Sequence, residues 1–287
     1  MLYLWIVSLI WAFSFSLIKG NLVGLDSNLV SFLRMAISFV VFLPFLRFKN
    51  LDFKLVLKLA SIGMIQYGFM YISYIASYQY LKAWQIALFT IFTPIYVSII
   101  ADLFDRKFNL LSFLSALIAI LGALVIKYKT GESDLFWKGF LLMQISNLAF
   151  AFGQVAYKKL MKKNKHISDY SIYAVIYFGA LFITFLASLI SVDFTSITIS
   201  TKQVLTIVYL GSVASGLCFF LWNSGANKIS ISQLAIMNNM KIPTAIFVAL
   251  VFFQEETNLV RLIIGSVILF FALFLDKFIG LILSKKS

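Results

Sequence analysis

Long apolar runs follow one another along this chain, parted by short polar gaps. They fall at about 2–18, 27–46, 59–81, 83–101, 108–126, 139–157, 170–192, 203–227, 229–254 and 257–278. A bilayer core of roughly 30 Å is crossed by about 20 apolar residues in a helix. Lipid offers no partner for backbone amides, so each crossing must close its hydrogen bonds within itself. The expected fold is therefore an all-α integral membrane protein with ten transmembrane helices. Only Lys82 divides the third run from the fourth, but one helix through both would cover more than 40 residues. Composition agrees: 62% of residues are hydrophobic and 12% charged, where a soluble domain has about a quarter charged. The longest polar gap, Lys158–Asp169, has no room for a soluble domain.

The net charge of +13 does not mark a nucleic-acid binder, because the basic residues sit in the gaps instead of gathering on one soluble face. They report topology. With the N-terminus in the cytoplasm, 15 Lys and Arg fall inside and 7 outside, the bias of a multi-pass protein with both termini cytoplasmic. No basic stretch precedes the first run, which reads as a span and not as a cleaved leader. The single cysteine, Cys218, lies within an apolar run and forms no intrachain disulfide.

Two halves echo each other. Pro94 in span four and Pro243 in span nine are two of only three prolines. Each lacks an amide donor and frees the carbonyl four residues earlier, at Thr90 and Asn239. Asp105 follows the first proline and Glu255 and Glu256 the second, and the next span then carries Ser115 and Gly122 or Gly265 and Ala272. Five spans is an odd number, so equivalent helices must run in opposite directions. The loop charges agree: Lys19 stands alone in the first loop, while its counterpart Lys158–Asp169 holds five lysines. The expected organisation is two inverted five-helix repeats, residues 1–130 and 137–287, an arrangement that suits alternating access.

Several stretches resemble a known family. They are LIWAFSFSLIK in the first span, Arg34 early in the second, the segment leading to Pro94, and LGSVASGLCFFLWNSGA in the eighth. The chain resembles the EamA family of the drug/metabolite transporter superfamily along essentially its whole length. That resemblance implies a ten-helix carrier in a bacterial inner membrane, with a cavity lined mainly by helices one, three, four, six, eight and nine. Cargoes in the family include amino acids, amines, nucleosides, vitamins and S-adenosylmethionine. The sequence departs at Asp105-Arg106-Lys107, where the family usually shows Gly-Glu-Arg.

All 11 acidic residues lie in loops or at helix ends, and His166 lies in a loop. No metal cluster, catalytic triad or nucleotide-binding loop can be assembled from them, so no cofactor, no metal and no enzyme activity are expected. Lys241 is the exception among the charges. It lies 11 residues from Ser230 and 12 from Phe253, about 17 Å from either end of its helix, beyond the reach of snorkelling. An ammonium at that depth costs roughly 2.5–3.5 kcal/mol. The sequence offers no acid to pair with it, so the cargo's own carboxylate or phosphate is the expected counter-ion. The competing explanation is a neutral amine bonded to free carbonyls.

Asn238 and Asn239 flank this lysine. The other expected lining residues are Tyr71 and Tyr74 with Gln66 from span three, Gln144 and Asn147 from span six, Trp11 and Ser14 from span one, and Ser215 from span eight. Pro94 and Pro243 are expected helix kinks. Arg34, Tyr78 and Trp222 are expected to serve structure: Arg34, near enough to the interface for its side chain to reach it, tying helix two to a neighbouring helix end, and the two aromatics in interfacial belts. The expected function is a secondary carrier for an amino acid or related carboxylate, working as a monomer or weak homodimer among membrane lipids. S-adenosylmethionine, nucleosides or another larger metabolite form the alternative cargo, and a membrane-embedded enzyme the alternative class. With no buried acid as relay, transport is expected to depend weakly on a proton gradient.

Overall fold

The computed structural model describes residues 2–22, 24–47, 51–106, 118, 120–122, 135–195, 197–229, 231–260, 262–268 and 270–271. Among these the secondary structure is helical throughout. Seven helices are long and apolar enough to cross a membrane: α1 (Leu2–Asn21), α2 (Ser27–Phe45), α3 (Phe53–Ser77), α4 (Ala83–Phe104), α5 (Phe136–Lys163), α6 (Asp169–Ser191) and α7 (Thr201–Ala226). An eighth, α8 (Ile231–Val251), carries Pro243 inside it. Further helical residues occur within the expected tenth span, at 259–260, 262–268 and 270–271. Most of the expected fifth span, Ser115 included, lies outside the described residues, as does Ala272.

Polar side chains start and stop these helices. Asp26 begins α2 by accepting from the amides of Asn28 and Leu29 (2.8 and 3.1 Å), and Asp52 begins α3 by accepting from Leu55 N (3.0 Å). Each supplies an acceptor to amides that the helix itself leaves open. The third and fourth expected spans are separate helices. α3 ends at Ser77 and α4 opens at Ala83, where the Glu255 carboxylate accepts from the amides of Ala83 and Trp84 (both 3.1 Å). Lysines close two helix ends: Lys19 Nζ donates to the Tyr78 carbonyl (2.5 Å), and Lys158 Nζ to those of Ala226 and Ile229 (both 2.6 Å). A cation there meets the negative end of the helix dipole.

Both faces of α1 are apolar, for different reasons. Leu4, Val7, Trp11, Phe15 and Ile18 are buried, while Leu2, Trp5, Leu9 and Phe13 are exposed. Each set recurs at three- and four-residue steps, so one face packs on protein and the other is clothed by lipid. Inside the bundle, helices come close where glycine removes a side chain. A Cβ on Gly63 of α3 would lie 1.8 Å from the Ile176 carbonyl oxygen of α6, and one on Gly179 of α6 2.0 Å from that of Ala60. α2 and α7 meet likewise, with Ile37 against Gly211 and Ser38 Oγ donating to the Gly211 carbonyl (2.8 Å).

Two helices carry a π turn, Met64–Phe69 in α3 and Leu210–Leu217 in α7. A π turn leaves backbone groups short of helical partners and often marks a functional region. In α7, carbonyls in and just after this stretch accept hydroxyl groups from α6: Tyr177 donates to Ser215 and Gly216 (3.0 and 2.6 Å), and Tyr173 to Phe219 (2.7 Å).

Candidate functional site

A cavity of about 60 Å³ lies at the centre of the bundle. Its walls come from seven helices: Trp11, Ser14 and Phe15 of α1; Arg34 of α2; Met70, Tyr71 and Tyr74 of α3; Thr90 and Thr93 of α4; Met143, Ser146, Asn147 and Phe150 of α5; Phe219 of α7; and Lys241 of α8. That volume holds a few waters, whereas sites for drug-sized ligands run to about 300–1,000 Å³.

Lys241 is 5% exposed and lines the cavity. Its Nζ stands 5.0 Å from the ring centre of Trp11, 5.7 Å from that of Phe150 and 5.9 Å from that of Trp222. Among the described residues, no carboxylate forms an ion pair with it. Each ring contributes about 0.5–1 kcal/mol to holding a cation, rising to about 2 when desolvated. Three such contacts are of the same order as the insertion cost of about 2.5–3.5 kcal/mol. The aromatic cage can therefore hold the ammonium in mid-membrane while leaving its three N–H donors free of described partners.

Trp222 corrects the belt expectation. It is fully buried, packs on Trp11 at 4.9 Å between ring centres, and donates from Nε1 to Gln154 Oε1 (3.0 Å). Tyr78 is also buried, its hydroxyl paired with that of Tyr74 at 2.7 Å.

Arg34 ties α2 to α3 and α7, and it also lines the cavity. It is 2% exposed and borders the same cavity as Lys241. Nε donates to Ser215 Oγ (3.1 Å) and Nη2 to Tyr71 OH (2.6 Å). The Tyr71 ring centre lies 4.4 Å from Cζ, and Nη1 has no hydrogen-bond partner. Ser215 is held in turn, by Tyr71 OH at 2.9 Å and by its own bond to the Leu210 carbonyl inside the π turn (2.8 Å). Two basic side chains thus border one small cavity whose described lining contains no acid.

The proline kink of α4 shapes the opposite wall. Pro94 follows a 3₁₀ turn, Thr90–Phe92, in which Thr93 N bonds to the Thr90 carbonyl. The carbonyl freed by the proline is thereby satisfied, and the shortage moves back to Phe89, whose carbonyl accepts Asn147 Nδ2 (2.8 Å). Asn147 Oδ1 accepts from Thr93 Oγ1 (3.2 Å). One amide from α5 thus splints the break in α4.

With this geometry in view, comparison with known proteins is specific. The pattern of the EamA-like transporter family matches residues 1–128 and again 137–276. The chain belongs to the EamA-like transporter family. A biotin transporter of Salmonella typhimurium is 34% identical over 274 residues, covering 95% of this chain and 91% of its own. The biotin transporter of Escherichia coli K12 gives the same identity and coverage. A probable biotin transporter of Pseudomonas aeruginosa is 34% identical over 281 residues, covering 96% and 97%. A solved protein of 12% identity superposes with a TM-score of 0.68 over 98% of this chain and 97% of its own, a likeness of fold alone. The protein is a multi-pass membrane transporter of a small molecule, as the family and these relatives indicate.

Of the residues singled out in the sequence, Lys241, Trp11, Ser14, Tyr71, Tyr74 and Asn147 line the cavity. Ser215 stands behind it, holding Arg34 and Tyr71. Gln66, Gln144, Asn238 and Asn239 lie outside the lining. Gln66 forms a reciprocal amide pair with Asn223 (3.0 and 3.2 Å) that ties α3 to α7. Gln144 accepts from Tyr96 OH (3.1 Å), and Asn238 donates to Gln154 (3.2 Å). The side-chain oxygens of Asn238 and Asn239 have no hydrogen-bond partner. Arg34, expected only as a tie between helices, also stands on the cavity wall. The available signal was that this cation, like Lys241, stands in a span without an acid.

Proposed function

We propose that this protein is an alternating-access secondary carrier whose cargo is biotin or a close relative, a monocarboxylate with a neutral ring system. The observation that carries this reading is the pair of buried cations, Lys241 and Arg34, on one cavity with no acid in its described lining. A carboxylate entering there meets a field prepared for it. An amino acid, the cargo expected from the sequence, brings an α-ammonium into a site already holding two positive charges. S-adenosylmethionine brings a sulfonium as well. Biotin brings one negative charge and no positive one, and its apolar chain and thiophane ring match walls of Phe15, Met70, Met143, Phe150 and Phe219. The names of the relatives support the same choice.

Ten helices in two inverted repeats, residues 1–130 and 137–287, would supply the motion. Several observations support that arrangement. The family pattern fits twice. Each half has a π turn flanked or occupied by glycines, Gly63 and Gly68 in one, Gly211 and Gly216 in the other. Lys19 closes the end of α3 as Lys158 closes that of α7. α3 crosses α6 at glycine as α7 crosses α2. Rocking one half against the other would open the cavity to either side of a bacterial inner membrane, with both termini cytoplasmic.

The test is uptake of labelled biotin into proteoliposomes containing the purified protein, with empty vesicles as the baseline. Saturable uptake that excess unlabelled biotin suppresses and free amino acids leave alone is the expected result. Uptake no faster than in empty vesicles would remove biotin as the cargo.

A further inference from the structure

We propose that Ser215, which stands behind the cavity wall, is a positioning residue: anchored in the π turn of α7, it holds the guanidinium of Arg34 so that its end-on edge receives the cargo's carboxylate. This rests on the carrier reading above and deepens it, naming a residue that touches no cargo and yet sets the preference for an acid.

The order of protons in the network carries the argument. Ser215 is fully buried, and its hydroxyl donates to the Leu210 carbonyl (2.8 Å). A serine inside an α-helix bonds back three or four residues; this bond spans five, because Leu210–Leu217 is a π turn. With that proton spent, Ser215 Oγ can only accept from Arg34 Nε (3.1 Å) and Tyr71 OH (2.9 Å). Tyr71 therefore spends its own proton on Ser215, and its oxygen accepts from Arg34 Nη2 (2.6 Å). A hydroxyl has one proton, so neither side chain has one left for a cargo. Among the described residues, the guanidinium donors still open are two on Nη1 and one on Nη2. One from each nitrogen makes the end-on edge, two parallel N–H groups that match the two oxygens of a carboxylate. The π turn itself is pinned from two sides. Ser38 Oγ of α2 donates to the Gly211 carbonyl (2.8 Å), and Tyr177 OH of α6 to those of Ser215 and Gly216 (3.0 and 2.6 Å). Arg34 and Tyr71 thus lean on a support from the other half of the chain.

The experiment measures binding of labelled biotin to the full-length protein in nanodiscs, with biotin and its methyl ester as competitors. The intact protein is expected to bind biotin at least about tenfold more tightly than the ester, the worth of a hydrogen bond to a charged group. Ser215→Ala should weaken biotin about tenfold and the ester little, narrowing the ratio, and should add nothing further in a protein already carrying Arg34→Gln. Tyr71→Phe, which removes the Nη2 acceptor, should narrow the ratio as well, and it decides if Ser215→Ala does not fold. Ser38→Ala is the structural control: it breaks another hydroxyl bond between α2 and α7 without touching the guanidinium, and should leave the ratio unchanged. Ser215→Ala with the ratio of the intact protein, or Ser38→Ala narrowing it equally, overturns the positioning role while the carrier reading stands. No binding of biotin by the intact protein, or binding equal to that of the ester, overturns both.

Discussion

Replacing Gly179 by alanine isolates the crossing of α3 and α6. The added Cβ would lie 2.0 Å from the Ala60 carbonyl oxygen, 2.7 Å from its carbon and 2.9 Å from Cα. Ordinary contact begins near 3.4 Å, so the helices must separate by about 1.4 Å, and the obstacle is backbone that cannot rotate away. Overpacking of this kind costs about 1–3 kcal/mol or more. The substitution also gains up to about 1 kcal/mol of helix propensity, so a net loss of about 1–2 kcal/mol is expected. Separation also strains the hydroxyl bonds of Tyr173 and Tyr177 to the α7 carbonyls, and biotin uptake should fall with stability. Gly20→Ala is the control, because its Cβ meets nothing nearer than the Phe253 ring at 3.5 Å. Unfolding titrations in mixed micelles of the two variants give the comparison directly. Equal stability of Gly179→Ala and Gly20→Ala would refute the close-crossing argument.

Three further outcomes are expected. Lys241→Met should leave unfolding free energy within about 1 kcal/mol, because the cage and insertion terms offset each other, yet weaken biotin binding by about 3–5 kcal/mol, that of a broken buried ion pair; tryptophan fluorescence, sensitive to Trp11 and Trp222 beside the amine, reads the affinity. Glu255→Gln removes the charge that caps α4 through Ala83 and Trp84 and should cost about 0.5–1 kcal/mol in the same unfolding assay, more at low salt than at high. An imposed pH gradient should change initial biotin uptake little, since no Asp, Glu or His lines the described cavity; steep acceleration would make Lys241 itself the proton relay and refute this.

The solvent and the secondary structure were legible in the sequence because lipid imposes a rule on every residue in turn. Runs long enough to cross a bilayer can only be helices, and the break at Lys82 followed from length alone. The isolation of Lys241 was equally legible, being a matter of composition: all 11 acids lie in loops or at helix ends. Its neighbours were not. Trp222 and Tyr78 lie near the ends of apolar runs, and position along a helix does not reveal which way an aromatic faces; α1 and α5 packed against α7 drew Trp222 inward to the lysine. The amides divided for the same reason. Asn147 met the kink of α4 and lines the cavity, while Gln66 met Asn223 and became a tie between helices. Arg34 needed both kinds of knowledge. Sequence showed a cation within a span, and only the convergence of α2, α3 and α7 showed Ser215 and Tyr71 holding its Nε and Nη2 while Nη1 has no hydrogen-bond partner. A one-dimensional pattern fixes what each segment must satisfy, and three-dimensional packing chooses the partner, because helix contacts join residues far apart in the chain.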